Sequence, residues 1–204
     1  MFAPLPKGPF DLIAADCAWM FKAWSAKGLG RSPERHYKTL TLDQICALPV
    51  KDIAARDCHL MLWITGPLLV QGAHLPVLKA WGFKPSSMAF VWLKVNKKSL
   101  QGRFFQPIGP FDFFMGPGHT TRQNAEYVVL GRRGSPRRHS KAVRQQIIEP
   151  RREHSRKPDE FYERCEEYAG PDARLCDLFS RTRRPGWSVW GNELEKFKTE
   201  DAWA

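Results

Sequence analysis

Residues 10–19 read F-D-L-I-A-A-D-C-A-W, and the reading of this run decides the fold. Phe10, Leu12, Ile13, Ala14 and Ala15 make a short, almost unbroken apolar segment. Such a segment, without polar alternation, suits a strand buried on both faces of a helix-covered sheet. It stops abruptly at Asp16, and the chain turns polar, basic and aromatic. In open α/β sheets, ligands bind in the crevice beyond the carboxyl ends of the strands. Asp16 and Trp19 on that edge suit a flat, nitrogen-bearing substrate. The alternative is an Asp that opens a turn and a Trp folded back onto the core.

Further segments agree with that sheet. Residues 60–64 (L-M-L-W-I), 88–95, 126–131, 174–180 and 187–190 have the apolar, β-branched and aromatic content of strands. Between them, T-L-D-Q at residues 41–44 is a capping-box signature for a short helix ending before Pro49. Residues 66–81 predict a helix kinked near Pro76 and closed by Gly82. Pro158, followed by Asp159 and Glu160, opens another helix that stops at Gly170-Pro171. Strands alternating with helices predict parallel βαβ units in a doubly wound, mostly parallel sheet. At 204 residues, one domain over residues 1–204 is expected.

Lys and Arg number 32 against 21 acids, a formal charge of +11, which favours a polyanionic partner, nucleic acid ahead of an acidic membrane surface. Eight Trp exceed ordinary core needs, and aromatic surface stacks well on flat ligands. Cys17, Cys46, Cys58, Cys165 and Cys176 form no C-x-x-C pair, so reduced thiols and no metal are expected. With no signal sequence and no apolar run of membrane-spanning length, a soluble cytoplasmic protein is expected.

Three basic, irregular stretches stand out as nucleic-acid-facing insertions: residues 20–40, 97–125 and 132–157. The first interleaves Lys22, Lys27, Arg31, Arg35 and Lys38 with Phe21, Trp24, His36 and Tyr37. That mixture suits a phosphate backbone and an unstacked base. The last holds ten Lys or Arg against two Glu, Arg137, Arg138 and Lys141 among them. It reads equally as a solvated arm or as a phosphate-binding surface. Trp92 and Lys94 near a strand end are further candidates for substrate contact.

The C-terminal motifs are more specific. Residues 177–181 read D-L-F-S-R and residues 186–193 read G-W-S-V-W-G-N-E, with H-S-R-K-P-D-E at 154–160 and W-G-F at 81–83. In this order they resemble the MT-A70 family of adenine N6-methyltransferases, and the compact form resembles its phage and bacterial members. Family members read D-P-P-W after the first strand, then S-x-K-P-D-E, E-L-F-x-R and G-W-x-x-W-G-N-E. The resemblance runs from Phe10 to Glu193. It implies a Rossmann-like α/β sheet that binds S-adenosylmethionine and transfers methyl to adenine N6 in nucleic acid, DNA favoured over RNA. It also allows a homodimer or a heterodimer with a related subunit. Asp177 would take the cofactor's ribose hydroxyls, with Arg181, Arg183, Asn192 and Glu193 on its ribose and adenine side. Asn124 would lie near its amino-acid end, Asp16 would also contact the cofactor, and Tyr37 would lie beside the target base.

The chemistry expected of Asp16, Cys17, Ala18 and Trp19 has a physical basis. Adenine N6 is a poor nucleophile because its lone pair is delocalised into the ring. Accepting one N6 hydrogen on the Asp16 carboxylate and the other on the Cys17 carbonyl favours a tetrahedral, attacking nitrogen. Trp19 would offer a face or edge to the base. D-C-A-W lacks both prolines of D-P-P-W, which removes stiffness worth roughly 0.4–1 kcal/mol per position. An active enzyme is expected, the alternative being a catalytically silent nucleic-acid-binding subunit that supports an active partner.

Overall fold

The computed structural model describes residues 4–20, 39–100, 107–116, 120–153 and 155–197. The opening run is strand β1 (Phe10–Ala15), where Leu12, Ile13, Ala14 and Ala15 are all fully buried. It lies inside a seven-stranded sheet of order β5-β3-β4-β2-β1-β6-β7. The other strands are β2 (Ala54–Thr65), β3 (Lys84–Val95), β4 (Ala125–Arg133), β5 (Gln146–Pro150), β6 (Leu175–Leu178) and β7 (Trp187–Trp190). β1 pairs parallel with β2 and β6, β3 with β5, and β6 with β7. Only β4 runs antiparallel, wedged between β2 and β3.

Apolar side chains of β1 alternate between two clusters because successive residues of a strand face opposite ways. Ile13 and Ala15 join Ile45, Leu78 and Trp81, contributed by the helical side that holds α1 (Leu42–Cys46), α2 (Gly66–Val70) and α3 (His74–Ala80). Leu12 and Ala14 join Phe161 and Cys165 of α5 (Asp159–Ala169) on the other face. The predicted doubly wound, mostly parallel arrangement is therefore present, with one reversed strand.

Local signals explain most boundaries. Thr41 and Gln44 form the expected capping box, each accepting from the other's backbone N–H. The 66–81 segment breaks at residues 71–73 rather than at Pro76, which lies in the first turn of α3, where a missing N–H costs little. Gly82, at φ 81°, closes α3 while Phe83 N–H donates to Leu78 O at 2.8 Å. Strand β5 falls inside the stretch expected to be irregular. It is a five-residue strand paired with β3 alone and flanked by arginines, so its Q-I-I-E-P sequence has little pattern to display. Strand β6 ends two residues early because Phe179 takes a left-handed φ of 64°.

The reversal of β4 matters for function. β3 and β4 are consecutive and antiparallel, so the segment joining them starts and ends at the edge where Asp16 emerges. Among the described residues it includes α4 (Lys97–Leu100) and the 3-10 turn Pro110–Asp112.

Candidate active site

Four charged side chains alternate in sign across the carboxyl edge of the sheet. Asp16, just past β1, meets Lys157 Nζ at 3.0 Å, and Lys157 reaches Glu126 Oε2 at 2.8 Å. Glu126 Oε1 takes Lys94 Nζ at 2.5 Å. Lys94 stands 4.7 Å over the Trp92 ring and Lys157 stands 4.9 Å over Trp63. Register explains the meeting, since Glu126 pairs with Thr65 at the end of β2 and with Trp92 on β3.

Burial would raise Glu126 and lower Lys157, but each is overruled by its partners. The two lysines hold the Glu126 carboxyl down to about 2. Asp16 and Glu126 hold the Lys157 ammonium above the ordinary lysine value. Asp16 itself is raised, first by burial, with Lys157 opposing.

The turn after Asp16 is closed without proline. Trp19 N–H donates to Cys17 O at 2.8 Å, and Leu40 N–H to Ala18 O at 2.8 Å. A carbonyl has two lone pairs, so Cys17 O keeps one acceptor site. The Cys17 thiol is buried, and that burial, with Asp16 beside it, pushes its pKa well up and makes it a poor nucleophile. Trp19 departs from its expected role. It is 5% exposed, and its indole N–H donates to Trp63 O at 3.2 Å, so it anchors the turn to the core rather than facing a base. Trp92 is likewise corrected to a core residue, buried with its N–H donated to Glu149 O at 3.0 Å.

Beside this chain of charges lies a cleft at the ends of β6 and β7, floored by Asp177 and walled by Tyr162, Ser180, Arg181 and Arg184. Asp177 pairs with Ala14 across β1–β6, two residues before Asp16. Tyr162 O–H donates to Asp177 Oδ2 at 3.1 Å. Burial raises the Asp177 carboxyl to about 7 despite the Tyr162 and Ser180 hydroxyls, with Asp16 also pushing it up. The left-handed Phe179 turns the chain so that Ser180 and Arg181 reach the cleft, its ring edge-on to Trp190 at 5.2 Å. Ser155, left-handed at φ 70°, does the same two residues before Lys157. Gly191 backs onto Ser180 so tightly that a Cβ would sit 2.0 Å from Ser180 O. That contact holds residues 191–193 against the cleft wall.

Sequence-predicted residues therefore divide. Asp16, Cys17, Lys94, Asp177 and Arg181 are brought to one edge, and Glu193 joins Arg181 at 3.2 Å. Asn124 lies there too, its carbonyl accepting Lys94 N–H at 2.9 Å, while Asn192 is exposed beyond Gly191. Arg183 is corrected: its side chain is 66% exposed and paired with Glu195, while its neighbour Arg184 lines the cleft. Arg137, Arg138 and Lys141 are exposed and follow the far end of β4, at the opposite edge of the sheet from Asp16. His139 N–H fixes that stretch to Tyr168 O, at the last turn of α5. Lys22, Trp24 and Tyr37 lie outside the described residues.

Sequence reasoning missed Lys157, Glu126, Tyr162 and Arg184. Lys157 lay inside the quoted motif H-S-R-K-P-D-E and Glu126 opened the expected strand 126–131, which show their order but not their partners. Asp159 of the same motif holds Arg184 at 2.6 Å and also Arg152, and Arg184 stacks 4.0 Å over Tyr162.

The chain is similar to several known methyltransferases. A bacterial type II methyltransferase, M.MunI of Mycoplasma sp, is 28% identical over 98% of this chain and 84% of its own length. The N(6)-adenine-specific methyltransferase METTL4 of Mus musculus is 29% identical over 94% of this chain but 39% of its own. The MT-A70-like N(6)-adenosine-methyltransferase of Arabidopsis thaliana is 28% identical over 92% of this chain and 24% of its own. Relatives thus span bacterial and eukaryotic proteins, and the expected phage or bacterial type is not singled out. The MT-A70 family model matches residues 10–193, which include Asp16, Glu126, Lys157 and Asp177, and the chain belongs to this family of S-adenosylmethionine-dependent adenine N6-methyltransferases.

Proposed function

We propose that this chain methylates the N6 amine of adenine in DNA, with Asp16 as the acceptor that orients the amine. The observation that carries the reading is the Asp16 carboxylate, held by the largely enclosed Lys157 side chain at the sheet edge beside the Asp177 cleft. S-adenosylmethionine supplies a methyl group already bonded to a strong leaving group. What remains for the protein is positioning and charge placement.

The residues present fit that cofactor. Asp177 is a buried carboxylate at a strand end, the type of acceptor that dinucleotide folds offer to ribose hydroxyls. Arg181, with Glu193, provides polar walls on the same cleft. Lys157 and Asn124 lie toward Asp16, on the side assigned to the amino-acid end.

For the transfer, Asp16 accepts one N6 hydrogen and the free lone pair of Cys17 O accepts the other. Lys157 opposes the effect of burial on Asp16, and Glu126 holds Lys157 in place while also pairing with Lys94. Trp19 fixes the turn through Trp63 O, the stiffness that proline would otherwise contribute. Support for the DNA reading is that the Mycoplasma type II methyltransferase is matched over 84% of its length, although relatives named for adenosine or RNA methylation are matched as well. The Cryphonectria parasitica relative named for N6-methyladenosine in RNA is matched over 54% of its own.

The test is mass spectrometry of N6-methyldeoxyadenosine and N6-methyladenosine in cells expressing the protein or its Asp16→Asn variant. The expected outcome is product in DNA for the wild type and a loss of about 10²–10³-fold in the variant's purified turnover at equal folding. Product confined to RNA would reverse the substrate choice. Undiminished turnover in the variant would remove Asp16 from the mechanism.

A further inference from the structure

We propose that Phe111 is a stacking platform for an unpaired nucleobase flanking the target, so that the β3–β4 connection grips single-stranded or locally opened nucleic acid. The proposal rests on the nucleic-acid reading above and adds which surface holds the strand and by what contact.

Phe111 is 98% exposed and Met115, four residues on, is 68% exposed. Single exposed apolar residues are ordinary, but a nearly bare phenyl ring and an exposed Met four residues apart on one tethered segment are not. The turn is held firmly. Asn96 N–H donates to Asp112 O at 2.8 Å, and Phe114 N–H to Lys94 O at 2.8 Å. Asp112 accepts the Gly109 N–H at 2.7 Å. The ring is therefore presented by a braced backbone at the same edge as the Lys94–Glu126 pair.

Cations lie on the segments tied to this turn. Lys97 and Lys98 follow Asn96 directly and are exposed, as is Arg122 beside the Gln123 backbone that packs on Gly116. Arg151 lies with its guanidinium 4.2 Å from the centre of the neighbouring Phe114 ring. Aromatic faces set among backbone-seeking cations are the chemistry that holds unpaired strands, the ring taking the base and the cations the phosphates. A second copy of this chain would fit poorly. In a two-fold contact the same patch meets itself, bringing Lys97, Lys98 and Arg122 against their own kind in a chain of charge +11.

The experiment uses the full chain and single-stranded DNA and RNA oligonucleotides with one adenine and 2-aminopurine at successive flanking positions. Wild type should quench the fluorophore at one flanking position, and Phe111→Trp should keep the quench. Phe111→Ala should abolish it and weaken binding by about fivefold to a hundredfold, while S-adenosylmethionine affinity stays within twofold. Unchanged quench and affinity in Phe111→Ala overturn the proposal, as does a wild type that binds no oligonucleotide. So does a variant that alters only the sedimentation mass of the free chain, which would make the patch a contact between copies. Because binding is read without turnover, methyl transfer can fail while the platform stands.

Discussion

Two carboxylates at one sheet edge, Glu126 part-buried and Asp177 buried, are treated in opposite ways. Glu126 sits between Lys94 and Lys157 and is held at about 2. Asp177 has the Tyr162 and Ser180 hydroxyls and the nearby Arg184 charge to hold it down, yet burial lifts it to about 7. The side chains differ by one methylene, so the neighbours set the charge. A permanently ionised Glu126 suits a structural bracket for Lys157. An Asp177 that titrates near neutrality suits an acceptor waiting for hydroxyls, because its charge is under-satisfied until a ligand arrives.

Removing the bracket should have the largest effect. Glu126→Gln leaves two buried or half-buried lysines without their shared anion, a loss of about 3–5 kcal/mol by analogy with broken buried pairs. Denaturant midpoints at pH 7 measure it. The sign with pH follows from a folded value below the unfolded one: this stability is present above about 4.5 and disappears as pH falls toward about 2. The variant should lack that acid-limb loss. A midpoint unmoved at pH 7 would show that the lysines find water instead.

Asp177→Asn sharpens the other side of the contrast. At pH 8 it should weaken S-adenosylmethionine binding by about tenfold to a hundredfold, the worth of a charge-assisted hydrogen bond. Below about pH 6 the gap should narrow, because the wild-type carboxyl is then largely protonated. In the cofactor-free chain the folded value lies above the unfolded one. Its contribution to stability is therefore full near pH 4 and is lost as pH rises through about 7, and Asn should flatten that decline. Calorimetric titrations and melting curves at pH 5.5 and 8 decide both. An affinity ratio constant with pH would place the ribose elsewhere.

The smallest effect is expected from the far edge. Neutralising Arg137, Arg138 and Lys141 together should change the log–log salt slope of oligonucleotide binding by less than about one unit. These side chains follow Arg133, about seven strand residues or ~23 Å along β4 from Glu126. A fall of about three units would mean that the nucleic acid wraps the sheet from one edge to the other.

Much of this protein was legible in its sequence. The buried run at β1, the capping box at Thr41, the strand Trp187–Trp190 and the acidic opening of α5 all depend on residues close in the chain. Local propensity and pattern therefore report them directly. The placement of Asp16 and Asp177 at one edge also follows, since both end strands of the same parallel sheet. The tertiary structure decided what depends on distant partners. Trp19 and Trp92 read as ligand-facing rings, yet each is buried with its N–H on a carbonyl, Trp63 O and Glu149 O, far away in sequence. The basic stretch 132–157 read as one surface, but β5 runs through it and carries its two ends to opposite edges. Lys157 became the pivot of the site only because antiparallel β4 brings Glu126 beside Asp16. A charge shows in the sequence; its counter-charge is chosen by the folding of strands more than thirty residues apart.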